Sequence, residues 1–255
     1  MLIVICREIP ERPTWKALTD DAPSGTWRTD ESGADKELAA ALWTHGTIVL
    51  VLLFQHSMTS SGSSFPSNAW LLVNLGLATS LTCLLMLPHT GSTLSLVFNS
   101  MASTGVFLLM LFTHDKGTIP NTILLQSTLA VFTITLLLST LAGFLKRFRA
   151  TAYIALPTVF FLALVAGSAT LWLGPLVELF VFSDAAVNAI IAISPLSYLS
   201  AAAEYDYLRS EWFYRNTPFG SLRFTYPGSL QLGAIYLGFA AALQTLTLRI
   251  NPDPR

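Results

Sequence analysis

Apolar positions in this chain do not alternate with polar ones; they gather into long unbroken runs. No Asp, Glu, Lys or Arg occurs from Leu38 through His114, from Gly117 through Leu145, from Ala150 through Val177, or from Phe224 through Leu248. A helix needs about 20 apolar residues to cross a hydrocarbon core of roughly 30 Å, and a charge at its centre costs about 2.5–3.5 kcal/mol on insertion. The runs therefore read as membrane spans with their turns, near 38–57, 69–87, 93–113, 121–145, 152–174 and 229–249. The expected fold is all-α: a polytopic membrane helix bundle of about six transmembrane helices, with short re-entrant or interfacial helices before the last span.

Residues 1–36 differ in character. They are polar, and Pro10, Pro13, Pro23 and Gly25 interrupt any long helix. They form a cytosolic or interfacial lead-in, and 37–255 a single transmembrane domain. The start, MLIVICREIPERP, lacks the basic flank and longer apolar stretch of a cleaved signal, so insertion is expected to rely on a later span.

Charge sets the orientation, because Lys and Arg accumulate in short cytoplasmic loops. Lys146, Arg147 and Arg149 between the fourth and fifth spans place that loop inside. Counting outward puts both termini in the cytoplasm, with 58–68, 114–120 and the long 175–228 connection outside. The expected location is the cell (inner) membrane. The stretch 176–193 is the ambiguous one. Glu178, Ser183, Asp184 and Asn188 lie within it, and Ser183–Asp184 is a good helix cap, so two short re-entrant or interfacial pieces are expected rather than a seventh crossing.

Ser194–Pro195 then starts a further helix, with Ser as cap and Pro at the first helical position, where its missing N–H costs nothing. Continued at helical spacing, SPLSYLSAAAEYDYLRSEWFYRN puts Tyr198, Tyr205, Leu208 and Trp212 on one side and Glu204, Asp206 and Glu211 around the other. This predicts a helix lying at the outer membrane face with its aromatics at headgroup level. Asp206/Arg209 and Glu211/Arg215 stand at spacings that allow local ion pairs.

Composition removes most chemistry. Apolar residues make up 53% of the 255 and charged residues 11%, with a net charge of −1 and no basic run, so no nucleic-acid partner is expected. Cys6 and Cys83 fit neither a disulfide framework nor a metal site, and no metal or other cofactor is called for. HExxH, CxxC and GxSxG are absent. Ser100 or Ser103 with His45 or His56 is the nearest approach to a hydrolytic pair, and histidines near span ends more commonly pack or face headgroups. Apart from Arg249 at the last position of the sixth, the expected spans hold no Asp, Glu, Lys or Arg to couple ion or proton flow. Their mild polar groups, Asn74, Asn99 and Gln126, suit bonding between helices. GxxxxGK[ST] is absent too, so any ATP hydrolysis would reside in a separate subunit. Ala234, Gly238 and Ala242 recur every fourth residue in the last span, a row that suits close helix packing within the bundle or against another subunit.

This arrangement resembles the membrane (permease) subunit of type-2 ABC exporters. Ser194-Pro195-Leu196-Ser197-Tyr198-Leu199 looks like the (N/S)-P-aliphatic-x-x-(aromatic or Leu) element that many members carry before the last span. The resemblance implies an interfacial N-terminal helix, six spans, a second membrane subunit, identical or related, and a separate ATP-binding subunit. Ser194, Pro195, Tyr198, Tyr205 and Trp212 would then form an external gate. The family usually docks its ATPase on a segment between the second and third spans; here that connection is only PHTGST, Pro88 to Thr93. His89, Lys146, Arg147 and Arg149 are accordingly the candidate contacts for an ATPase or for anionic membrane lipid. The alternative is a non-catalytic integral subunit or scaffold of another multi-subunit membrane complex. Nothing in the residues selects a transported substrate.

Overall fold

The computed structural model describes residues 68–83, 93–114, 119–147, 152–172, 184–216 and 224–250, and every regular element among them is helical. In order they are α1 (Asn68–Cys83), α2 (Thr93–His114), α3 (Asn121–Arg147), α4 (Ala152–Gly167), α5 (Asp184–Ile193), α6 (Pro195–Ala202), a 3-10 turn (Tyr207–Arg209), α7 (Glu211–Asn216) and α8 (Ser229–Ile250). Three helices, 93–112, 121–147 and 229–250, are long and apolar enough to cross a membrane, and α1 and α4 contribute shorter apolar helices. The chain is a helical membrane protein. The expected first span, 38–57, and the lead-in 1–36 lie outside the described residues.

The 27-residue α3 is the hub, packed by α1, α2, α4, α6 and α8. Its buried positions mix Ala130, Val131, Ile134, Leu138 and Ala142 with Ser and Thr, small residues that let helices approach closely. Their hydroxyls are spent largely on the helix itself: Thr135 donates to Phe132 O at 2.9 Å and Thr140 to Leu137 O at 2.8 Å. Between helices, Ser229 donates to Gln126 Oε1 at 3.1 Å, joining the first turns of α8 and α3. Gln244 Nε2 donates to Thr93 Oγ1 at 2.8 Å, joining late α8 to the start of α2. Asn99 donates across to Ser139 at 3.4 Å, whereas Asn74 turns back to its own helix at Trp70 O. Thus α3 and α8 run parallel and α2 antiparallel to them. The end of the bundle that carries α5, α6 and α7 is called the upper end below; the last turns of α3, with Lys146 and Arg147, and of α8, with Arg249, lie at the lower end.

Outward faces are oily. Leu94, Phe98, Met101, Leu109 and Phe112 on α2, Phe160 and Phe161 on α4, and Leu230, Leu237, Phe239 and Leu246 on α8 are exposed. In water such contiguous faces would be an aggregation hazard. Against lipid chains they need no cover.

Two features depart from the sequence reading. The span expected at 152–174 is interrupted at Ser168, where a turn separates α4 from a last stretch, 169–172. The helix expected to lie flat on the outer face after Ser194 is instead broken into α6, the 3-10 turn and α7, and α6 is buried among α1, α3, α4 and α8.

Candidate functional site

The site is built around the break between α5 and α6. A residue before proline is pushed out of the helical region, so α5 has to stop at Ile193. Ser194 adopts an extended conformation (φ −74, ψ 119), and the chain turns by 84° into α6. Breaking a helix inside a packed bundle strands backbone groups that need other partners. Here side-chain hydroxyls supply the partners. Tyr236 of α8 donates to the Ile193 carbonyl at 2.9 Å. Ser194 Oγ accepts from Ser197 N at 3.4 Å and donates to Gly167 O, at the open end of α4, at 3.1 Å. The expected cap at Ser194 with Pro195 behind it is present.

α6 ends as locally as it begins. Glu204 stands in the left-handed region (φ 53), Tyr205 N donates to Ser200 O at 2.9 Å and Glu204 N to Ala201 O at 3.2 Å. These two bonds form the paired C-terminal closure usually built on glycine. The Ser200 hydroxyl donates to the Tyr205 carbonyl. Asp206 then caps the 3-10 turn by accepting from Arg209 N at 3.3 Å. Helix propensity in SAAAEYDYL carries a sequence reading straight through this point; the reversal at Glu204 is what defeats it.

Aromatic rings wedge α6 in place. Tyr198 is 0% exposed, its hydroxyl 3.1 Å from Thr133 Oγ1 and its ring 5.0 Å from that of Tyr236. Tyr207, 3% exposed, reaches back with its hydroxyl between Ser197 Oγ and Thr170 Oγ1, 3.0 Å from each, and meets Phe213 edge-on. Tyr226 donates to Ser197 O at 3.2 Å, and Asn188 of α5 accepts from Thr225 N at 3.0 Å. Tyr205 is half-buried, its ring 6.0 Å from Trp70 at the start of α1. The expected surface aromatics are therefore corrected: Tyr198 is interior, Tyr205 only partly covered, and Trp212 belongs to α7 rather than to a helix shared with them.

Charge stays at the rim. The Asp206–Arg209 and Glu211–Arg215 pairs form as their spacing predicts, at 3.3 and 2.7 Å, and Arg209 also lies over the Phe224 ring at 5.6 Å. Burial pushes the Asp206 carboxyl up, opposed by the Arg209 N–H and guanidinium. Burial also pushes the Tyr207 and Tyr226 phenols up, against the opposing pull of their serine and threonine hydroxyl partners. Tyr207, Tyr226, Tyr236, Ser197 and Thr170 escape sequence reasoning. A tyrosine in an apolar run signals a hydroxyl that needs a buried partner, but not which one.

The remaining candidates do not join this cluster. His89 and Arg149 lie outside the described residues, while Lys146 is half-buried and Arg147 exposed at the lower end of α3. Ala234, Gly238 and Ala242 are all exposed, and a methyl group on Gly238 would meet nothing within 4 Å. Packing of that row within the bundle, one of its two expected uses, does not occur among the described residues. Ser100 and Ser103 donate to Leu96 O and Asn99 O of their own helix, and the histidines considered with them, His45 and His56, lie outside the described residues.

A hollow lies below α6. An apolar groove of about 410 Å³ runs between α4 and α8, with Ile134, Leu138 and Leu141 of α3 as its floor and Ile193 and Pro195 as its roof.

Comparison of the chain with protein-family models, with curated proteins and with solved structures finds no match.

Proposed function

We propose that this chain is the membrane subunit of an exporter of the type-2 ABC kind, paired with a second membrane subunit and driven by a separate ATPase. The observation that carries this reading is the helix pair bent by 84° at Ser194, set into the upper end of a bundle and followed, after the 3-10 turn and α7, by its last long helix. A bundle of this kind has little else with which to do work. Among the described residues the long helices hold His, Lys or Arg only in their last turns and no acid, so ion coupling has no charged group in their interior. Energy would arrive from outside the chain, and the wedge would close the exit between cycles. The basic lower end would face the cytoplasm, where positive charge accumulates.

A second reading, a non-catalytic integral subunit, draws on the wedge itself. Its serine, threonine and tyrosine hydroxyls are engaged with one another or with backbone carbonyls, and the large groove is apolar, as suits a rigid structural part. Recovery of the full chain in mild detergent, with its partners identified by mass, separates the two. A permease brings an ATP-hydrolysing subunit whose turnover changes on reconstitution with the chain. Recovery of an intact complex without one would overturn the transport reading.

A further inference from the structure

We propose that the break at Ser168 is a two-state joint: residues 152–172 exchange between the broken helix described above and one continuous helix, and a thicker bilayer favours the continuous form. This inference does not depend on the transport reading.

The break exchanges hydrogen-bond partners rather than losing them. Up to Ser168 the ladder is regular, with Ser168 N donating to Leu164 O at 2.9 Å. Leu171 N then turns to Ser168 O at 2.9 Å, where a continuous helix would take it to Gly167 O. The Gly167 carbonyl so released accepts from Ser194 Oγ at 3.1 Å. Val165 O accepts from Trp172 Nε1 at 3.1 Å, an indole folded back across the turn. Beyond the break, the Thr170 hydroxyl meets that of Tyr207 at 3.0 Å. Ser194 and Tyr207 thus tie both sides of the break to the wedge.

No residue of the segment forbids a continuous helix. ALVAGSATLW, 163–172, holds neither proline nor charge, which is why the sequence reads as one span. Gly/Ser pairs are common places for a helix to kink, and Gly167-Ser168 is such a pair. A methyl group on Gly167 would meet nothing within 4 Å, so crowding at that position does not impose the turn. The groups that hold the break also keep partners once it straightens. Ser194 Oγ still accepts from Ser197 N, and Tyr207 still meets Ser197 Oγ. Thr170 in a continuous helix can donate one turn back to the Ala166 carbonyl, as Thr158 does to Ile154 O. With no buried hydroxyl stranded in either form, the two packings lie close in free energy.

Length gives the joint its stimulus. The 16 residues of α4 rise about 24 Å, short of a hydrocarbon core of about 30 Å. As one helix, 152–172 would rise about 31 Å and cross it. A thin bilayer accepts the broken form, and a thick one leaves polar backbone of the break inside hydrocarbon unless the helix extends.

The test places spin labels at Ile154→Cys and Leu171→Cys, both exposed sites, with Cys6→Ser and Cys83→Ser. The full chain is reconstituted in phosphatidylcholine vesicles with a hydrocarbon core of about 27 or about 33 Å, and the label separation is read by pulsed electron resonance. Two populations are expected, one at about 25 Å, as a continuous helix requires, and one shorter. The longer should gain about fivefold in its ratio to the shorter in the thick bilayer. Thr170→Val, which releases the far side of the break and leaves the α6 cap in place, should raise that ratio about fivefold in either bilayer. Ala169→Pro removes the amide that a continuous helix donates to Val165 O and suits the first position of the stretch 169–172, so it should abolish the longer population. A distribution that ignores bilayer thickness, an unchanged ratio in Thr170→Val, or a thickness response that persists in Ala169→Pro would overturn the proposal.

Discussion

Gly233 on α8 lies directly against the hydroxyl of Tyr198 on α6: a methyl group on Gly233 would come within 2.8 Å of that oxygen. The oxygen belongs to a fully buried ring that is also bonded to Thr133, so it has nowhere to retreat. Gly233→Ala is expected to cost about 1–3 kcal/mol through overpacking. Gly105, where a methyl group would meet nothing within 4 Å, is the control. There the same change should be neutral or stabilising by up to about 1 kcal/mol, as for any exposed helical glycine. Reversible unfolding in detergent checks the opposite signs.

Tyr198 contributes more by filling space than by bonding. Removing the hydroxyl in Tyr198→Phe leaves Thr133 bonded to the Leu129 carbonyl and should cost about 1 kcal/mol or less. Tyr198→Ala empties the centre of the wedge and should cost about 3–5 kcal/mol. Similar losses for the two variants in the same unfolding assay would show that the hydroxyl, not the ring, holds α6.

Glu204 occupies a left-handed backbone position that costs a residue with a side chain about 1–2 kcal/mol, and its own side chain is exposed. Glu204→Gly should therefore stabilise the protein by about 0.5–1 kcal/mol, after allowance for the greater freedom of glycine in the unfolded chain. A loss of stability would mean that the α6 closure does not have this geometry.

Three spans are legible in the sequence because lipid imposes one rule on every position: apolar side chains outside and backbone satisfied within. Expected spans at 93–113, 121–145 and 229–249 match helices Thr93–His114, Asn121–Arg147 and Ser229–Ile250 closely. The Ser194 cap was legible as well, since Ser-Pro has a local meaning. The wedge was not. Whether Tyr198 faces headgroups or a buried Thr133 depends on where α3 stands, and a 3.6-residue period is the same in either case. Helical spacing continues past Ala202 in the sequence, because nothing in Ala-Glu-Tyr-Asp announces that Glu204 reverses the chain.

Alkaline titration probes the hydroxyl cluster. Burial raises the Tyr207 and Tyr226 phenols above the usual tyrosine value. A phenol that keeps its proton longer in the folded state makes stability fall as pH rises past its unfolded pKa of about 10. Tyr207→Phe and Tyr226→Phe should therefore leave the tyrosinate absorbance developed by about pH 10.5 unchanged and should lessen the fall in stability above that pH. A drop in early-titrating absorbance in either variant would place that phenol in water.

The burial of α6 can be read directly by thiol labelling in native membranes. In a continuous helix begun at Pro195, Ser200 and Glu204 lie off the aromatic side, toward water for a helix lying flat on the membrane, and Ser197 stands at the border beside Leu208. In the fold described here Ser197 and Ser200 are 0% exposed, and only Glu204 reaches the surface. Single cysteines at these positions, with Cys6 and Cys83 replaced by Ser, should react with an impermeant maleimide at 204 and stay protected at 197 and 200. Equal labelling at all three would contradict the wedge and restore a surface helix.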